Sequence, residues 1–223
     1  MLISLHLPKT AGTSFGKSLG DHFGNALLLD YDDNPIAKSI QTRSREAIEA
    51  SIELADNGLN DYQCVHGHFL PVKYLLLSTK INTRFITWMR DPVERMLSHY
   101  YFWQTYYDPE KAAVHHKRFI EEKWSLERFC LGPEFRNIYH QYLWGFPLRS
   151  FNFIGISEFY QEDFNYFCSE YFGQELPTYR ENITQRPNKI HNIDEELRKK
   201  IELYHKDDVE IYQELLKARK NRS

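Results

Sequence analysis

Five short apolar runs punctuate the chain, at Leu2–Leu7, Ala26–Leu29, Tyr62–Val65, Phe85–Met89 and Phe151–Ile156. Their length and their polar or turn-forming borders predict buried strands. Between them, apolar residues recur at helical spacing over about 13–23, 44–56, 92–105, 134–144 and 158–172. The fourth of these stretches is rich in rings and is a candidate for a broken helix. Strands alternating with helices predict an α/β fold: a mostly parallel sheet with helices on both faces. From about Asp194 onward, charged and apolar residues mix at helical spacing, which predicts one or two C-terminal helices that close the fold. No repeat, low-complexity tract or Gly/Ser linker divides the chain, so a single domain over 1–223 is expected. Residues 176–191 are polar, contain Pro177 and Pro187, and predict a long loop. Long loops in compact domains are often functional.

The residues with the most chemistry stand just beyond the strand ends. Leu2–Leu7 runs into Pro8-Lys9-Thr10-Ala11-Gly12-Thr13-Ser14, Tyr62–Val65 into His66-Gly67-His68, and Phe85–Met89 into Arg90-Asp91-Pro92. Open parallel sheets bind ligands outside the carboxyl ends of their strands, so three separate segments point to one cleft. The first is a strand-to-helix loop with a lysine, one glycine and three hydroxyls. Backbone N–H groups at a helix N-terminus suit a phosphate; Lys9 adds a mobile charge, and Thr10, Thr13 and Ser14 add hydroxyl donors. It is not a Walker A loop, because the lysine precedes the only glycine. The plain alternative is a helix cap with Thr13 or Ser14 as N-cap. In the second segment Asp91 reads as an N-cap, Pro92 as the first helical residue and Glu94 as the third member of a capping box. Arg90 then stands at a helix N-terminus with Ser98 two turns along, a pair suited to a second phosphate. Its alternative is that Arg90 and Arg95 simply pair with Asp91 and Glu94.

His66 and His68 point the same way if the strand continues through them. That would permit a metal, but His99, His115 and His116 show no ligand spacing that supplies a third group. A histidine of ordinary pKa suits general-base work near neutral pH, and one of the two is as well explained by a buried, hydrogen-bonded structural role. Weaker candidates are Arg180 and Arg186 in the late loop, the basic run Lys111–Arg118, and the pair Asn137 and Gln141 one helical turn apart. The run reads equally as a solvated helix face, and the pair as surface residues.

Composition narrows the class. Of 223 residues, 28 are Lys or Arg and 31 Asp or Glu, a net charge of −3. This argues against non-specific binding to nucleic acid or to anionic membranes. Any basic site must be local. The 15 Tyr, 15 Phe and 4 Trp predict a core or cleft rich in rings. Cys64, Cys130 and Cys168 are sparse and odd in number, which favours a reducing compartment. The start has no basic n-region, and no apolar run approaches the roughly 18 residues of a membrane span. A cytoplasmic protein is expected, with the Asn182-Ile183-Thr184 sequon coincidental.

The paired motifs resemble those of sulfotransferases that use 3′-phosphoadenosine 5′-phosphosulfate (PAPS). Pro8-Lys9-Thr10-Ala11-Gly12-Thr13-Ser14 looks like their 5′-phosphosulfate loop, and Arg90-Asp91-Pro92-Val93-Glu94-Arg95 with Ser98 like their 3′-phosphate motif. The run after Ser98 and the His66-Gly67-His68 segment are most similar to the uronosyl 2-O-sulfotransferase branch of the carbohydrate enzymes. The likeness covers about residues 2–16, 65–70 and 84–103, with a weaker echo through Asn137–Gly145 and Ile154–Glu158. It implies a P-loop-like α/β fold and PAPS as donor. Lys9, Thr10, Ala11, Gly12, Thr13 and Ser14 would hold its 5′ side, Arg90 and Ser98 its 3′-phosphate, and Arg186 would close over it. His68 would be the general base, with His66 beside it, and no metal would be required. The acceptor would be a carbohydrate or a glycosylated small molecule. The chain departs from the animal carbohydrate branch in lacking a membrane anchor, a signal and paired cysteines, which favours a cytoplasmic tailoring role. Two rivals remain open: a P-loop-type phosphotransferase, which would need Mg²⁺ and a Walker-type loop, and a non-catalytic nucleotide- or glycan-binding module.

Overall fold

The computed structural model describes residues 1–33, 38–179 and 193–220. They fall into two compact units, one of residues 1–33, 38–89 and 142–179, the other of residues 90–141 and 193–220. The first unit holds a fully parallel sheet of β1 (Leu2–Leu5), β2 (Leu27–Asp30), β3 (Cys64–Gly67), β4 (Arg84–Met89) and β5 (Phe153–Ile156), in the order β2-β3-β1-β4-β5. Helices α1 (Gly12–Phe23) and α2 (Ile40–Asn57) lie within the same unit. The architecture is the P-loop-like α/β arrangement of a parallel sheet flanked by helices. All five apolar runs form strands, with their ends shifted. β1 stops at Leu5 rather than Leu7, and β3 runs over Cys64–Gly67 rather than Tyr62–Val65, so His66 lies inside the strand. Tyr62 belongs instead to a turn, its N–H bonded to Leu59 O at 3.1 Å.

One sheet face is covered by rings. Phe15 and Leu19 of α1, with Phe164, Phe167 and Cys168 of the later helix Tyr160–Phe172, pack on Leu2, Cys64, Ile86, Trp88 and Phe153. Leu2 is paired with Cys64 in register and Ile86 with Phe153, so alternate strand positions present a continuous apolar surface to the helices. Phe15 is fully buried and meets Trp88, Phe164 and Phe167 at ring-centroid distances of 5.3–6.2 Å. Truncating such a residue to alanine costs roughly 3–5 kcal/mol.

The second unit has no strand among its described residues. It contains α3 (Pro92–Thr105), α4 (Val114–Glu121), α5 (Leu126–Cys130), the start of the short α6 (Ile138–Tyr142), and, beyond the first unit's α7 (Tyr160–Phe172), the closing helices α8 (Glu195–Tyr204) and α9 (Lys206–Lys220). Its core is aromatic: Trp103 meets Phe119, Phe129 and Phe135 edge-on. The helix expected over 134–144 is broken, as Pro133–Phe135 form a 3₁₀ turn and Asn137 adopts φ 48° before α6 begins. Helices α4 and α5 carry too few apolar positions to stand out in the sequence. The three cysteines are buried and unpaired. Among the described residues, no helix is long and apolar enough to cross a membrane.

Candidate functional site

The loop from β1 to α1 departs from ordinary helix starts. Its first helical residue is Gly12, and the N-cap position is held by Ala11, not by Thr13 or Ser14; no side chain caps the helix and no acid lies in its first turn. Lys9 and Ala11 both have left-handed backbones, at φ 65° and 68°. Each costs roughly 1–2 kcal/mol for a residue with a Cβ, and such strain gathers at ligand clamps. Left-handed residues alternating with ordinary ones turn successive N–H groups inward, the concavity that binds anions. Thr10 is fully buried, and its hydroxyl donates to Leu7 O at 2.9 Å, closing the loop. Its proton is therefore committed within the loop. Thr13 is exposed and Ser14 buried.

Beside this loop lies a group of imidazoles set by strand register. Ser4 pairs with His66, and the ladder continues through His6 N–H to Gly67 O at 2.7 Å, which brings His6 alongside His68. The His6 ring stacks on His66 at 5.2 Å and tilts against His68 at 4.6 Å. A Cβ on Gly12 would fall 1.9 Å from the His6 ring, and one on Gly16 would fall 2.7 Å from His66 Nε2. The two glycines, one helical turn apart, are what let α1 settle on the imidazoles.

The three histidines are held differently. His66 is buried, and both its ring nitrogens are used: Nδ1 with Ser4 Oγ at 2.8 Å and Nε2 with the carbonyl of Gly12 at 3.2 Å. Burial, reinforced by His68, lowers its pKa to about 4. It ties β3 to β1 and to the start of α1. His68 donates from Nδ1 to the carbonyl oxygen of His6. That bond fixes the tautomer whose Nε2 carries the lone pair, and Nε2 makes no hydrogen bond among the described residues. Burial lowers the His68 pKa, while the bond to His6 and the charge of Asp33 pull it back up. His6 itself is pushed well below its ordinary value by burial, then by His68, His66 and Lys9, and its Nδ1 meets the Tyr31 hydroxyl at 3.0 Å. Arg43, buried on α2, forks onto Asp33 at 2.7 and 2.6 Å and fixes the carboxylate that faces His68. His6, Tyr31, Asp33 and Arg43 are additions to the expected set.

Arg90 and Ser98 belong to the second unit. Asp91 is the N-cap of α3, accepting the Glu94 N–H at 3.0 Å, with Pro92 at the first helical position. The Glu94 carboxylate pairs with Arg198 of α8, which also lies 3.8 Å from Asp91. Arg95 points inward: it is buried with its guanidinium 5.6 Å from the centre of the Tyr139 ring. Ser98 is half-buried, and its hydroxyl makes no hydrogen bond among the described residues. Asn137 is buried and its amide NH₂ donates to Asp207 at 2.6 Å, and the Gln141 NH₂ donates to Arg136 O at 2.7 Å, so the donor side of each amide is engaged within the protein. In the basic run, His116 stacks on Trp103 at 4.4 Å and Arg118 pairs with Glu122 at 2.8 Å. Arg180 and Arg186 lie outside the described residues. Among those described, no three His, Cys, Asp or Glu side chains are placed to hold a metal.

The sequence matches no protein-family profile and no curated protein. In structure, the chain is similar to a sulfotransferase from Alicyclobacillus acidocaldarius, with 12% identity and a TM-score of 0.47 over 96% of this chain and 94% of that one. It is also similar to the mouse sulfotransferase SULT7A1 complexed with PAP, with 13% identity and a TM-score of 0.39 over 77% of this chain; this likeness takes in 56% of the mouse protein.

Proposed function

We propose that the protein is a PAPS-dependent sulfotransferase that moves a sulfuryl group to a hydroxyl of a carbohydrate or a glycosylated small molecule. The observation that carries this reading is the pairing, on neighbouring strands of one unit, of an uncapped helix start with a histidine held as a base. The left-handed Lys9 and Ala11 shape a cradle for an anion at α1, and His68 keeps the Nε2 lone pair beside it. His68 takes the acceptor's proton as the acceptor oxygen bonds to sulfur. The sulfur–oxygen bond to the 5′-phosphate breaks, and its electron pair goes to the phosphate oxygen. Lys9 and the first-turn N–H groups of α1 offset the charge that grows there, by electrostatics set up in advance. By resemblance of their segment, Arg90 and Ser98 take the 3′-phosphate; His66 orients the loop through Gly12. A cytoplasmic tailoring enzyme fits the reduced, buried cysteines. The test is transfer of labelled sulfate from PAPS across a panel of sugars and glycosides. Labelled product with at least one member is expected; no transfer to any, despite tight binding of 3′,5′-adenosine bisphosphate, would favour a non-catalytic binding module.

A further inference from the structure

Arg90 sits between the last residue of β4 and the N-cap of α3, so neither a strand ladder nor a helix fixes its backbone. The side chain of Tyr139 holds it on both sides of the residue. The Tyr139 hydroxyl accepts the Arg90 N–H at 3.1 Å and donates to the Arg90 carbonyl at 2.7 Å. One hydroxyl has the donor and the lone pairs to serve both. Tyr139 is fully buried and is held in turn from behind: its own N–H donates to one oxygen of Asp208 at 3.1 Å, and the His140 N–H to the other at 3.0 Å. Asp208, on α9, is also fully buried, and the Arg95 guanidinium lies over the Tyr139 ring.

We propose that Tyr139 is a positioning residue that aims Arg90 at the 3′-phosphate, and that Asp208 of the C-terminal helix anchors it. This rests on the reading of Arg90 as the 3′-phosphate ligand. A guanidinium reaches a phosphate productively only if its backbone is held, since a misplaced charge loses the directional part of a charge-assisted bond. Removing the hydroxyl withdraws both bonds to Arg90 while leaving the ring in the core. The tie spans 49 residues and its anchor a further 69, which is why no local pattern marks it.

The experiment is the ratio of affinities for 3′,5′-adenosine bisphosphate and adenosine 5′-phosphate in wild type, Arg90→Ala and Tyr139→Phe. Arg90→Ala should lower the preference for the bisphosphate by about ten- to hundredfold, and Tyr139→Phe by about three- to thirtyfold, with the monophosphate nearly unchanged in both. A merely structural tyrosine would weaken both ligands alike and leave the ratio intact. That outcome, with Arg90→Ala still losing selectivity, overturns the proposal and leaves the reading of Arg90 standing. An unchanged ratio in Arg90→Ala overturns the reading and the proposal together. If Tyr139→Phe does not fold, Asp208→Asn takes its place in the same comparison. It keeps the hydroxyl but removes the anchoring charge, and a loss of selectivity in the same direction is required of it.

Discussion

Helices α1 and α3 both begin just past the end of a parallel strand, yet their first turns are built in opposite ways. At α3 the local groups are satisfied from within the protein: Asp91 caps the helix, Pro92 fills the position that needs no donor, and Arg198 neutralises Glu94. At α1 no side chain caps the first turn, two residues with side chains are forced into left-handed conformations, and a neighbouring imidazole keeps a lone pair unspent. A closed helix start contributes stability; an open one holds donors and strain for something else. The contrast teaches where in a uniform α/β scaffold to look for chemistry. On the proposed reading, a ligand's charge at α3 is met by side chains such as Arg90, whereas at α1 the side-chain-uncapped first turn and its left-handed loop contribute through the backbone.

The comparison breaks first at His68. With His68 as the general base of the proposed reaction, His68→Ala should lose about 10²–10⁴ in kcat while keeping its affinity for the bisphosphate. In wild type the acidic limb of the rate profile should fall below the ordinary histidine value, because burial lowers the His68 pKa. In His68→Ala that limb should vanish. Retained activity with the limb intact would move the base to another of the clustered imidazoles, or to a carboxylate.

How much of this was legible in the sequence depends on distance along the chain. The strands and the Asp91 cap of α3 are local and could be read directly, though strand ends shifted and the N-cap of α1 fell on Ala11, not on Thr13 or Ser14. His66 and His68 were visible as a pair, but their division of labour was not: it depends on Ser4 and Gly12, which reach His66 only through strand register and helix docking. His6 looked like an ordinary strand residue before the lysine loop, because the register that sets it beside His68 cannot be read from apolar runs two residues out of phase. Tyr31 and Asp33 follow an edge strand, and Arg198 lies about a hundred residues from the acids it pairs with. The plain alternative for Arg95 failed for a related reason: the residue lies on the buried face of α3, over Tyr139, not on the rim beside Asp91 and Glu94.

Acid should separate the two regions next. His66 has its pKa lowered to about 4, and His6 and His68 are lowered too. Their contribution to stability is full above the ordinary histidine value near 6.5 and is lost as pH falls toward the folded value. In the second unit His205, lowered to about 4, acts in the same direction, but Asp208, raised to about 6, acts against it. The raised carboxyl contributes stability below its ordinary value and loses it as pH rises through about 6, so acidification repays there what His205 forfeits. Between pH 6.5 and 4, amide-exchange protection should therefore fall around β1, β3 and the start of α1 before it falls in α9. Simultaneous loss, or earlier loss in α9, would show that the imidazole cluster does not set the acid limit.

The smallest effects test the two helix starts themselves. Asp91→Ala removes a cap and should cost about 1 kcal/mol, or roughly 2–4 °C in melting temperature. Ala11→Gly relieves a left-handed alanine and should leave stability unchanged or raise it by up to about 1 kcal/mol. Its extra freedom should weaken, not strengthen, the hold on an anion. If both substitutions destabilise alike, the difference between the open and closed starts is only apparent.

The most direct measurement is calorimetric titration with 3′,5′-adenosine bisphosphate and with Mg-ATP, each with and without EDTA. The proposed sulfotransferase reading predicts tight binding of the bisphosphate, indifferent to EDTA, and weaker binding of ATP. Equal or tighter binding of ATP, or bisphosphate binding that disappears when Mg²⁺ is removed, would contradict the sulfotransferase account and point to phosphoryl transfer instead.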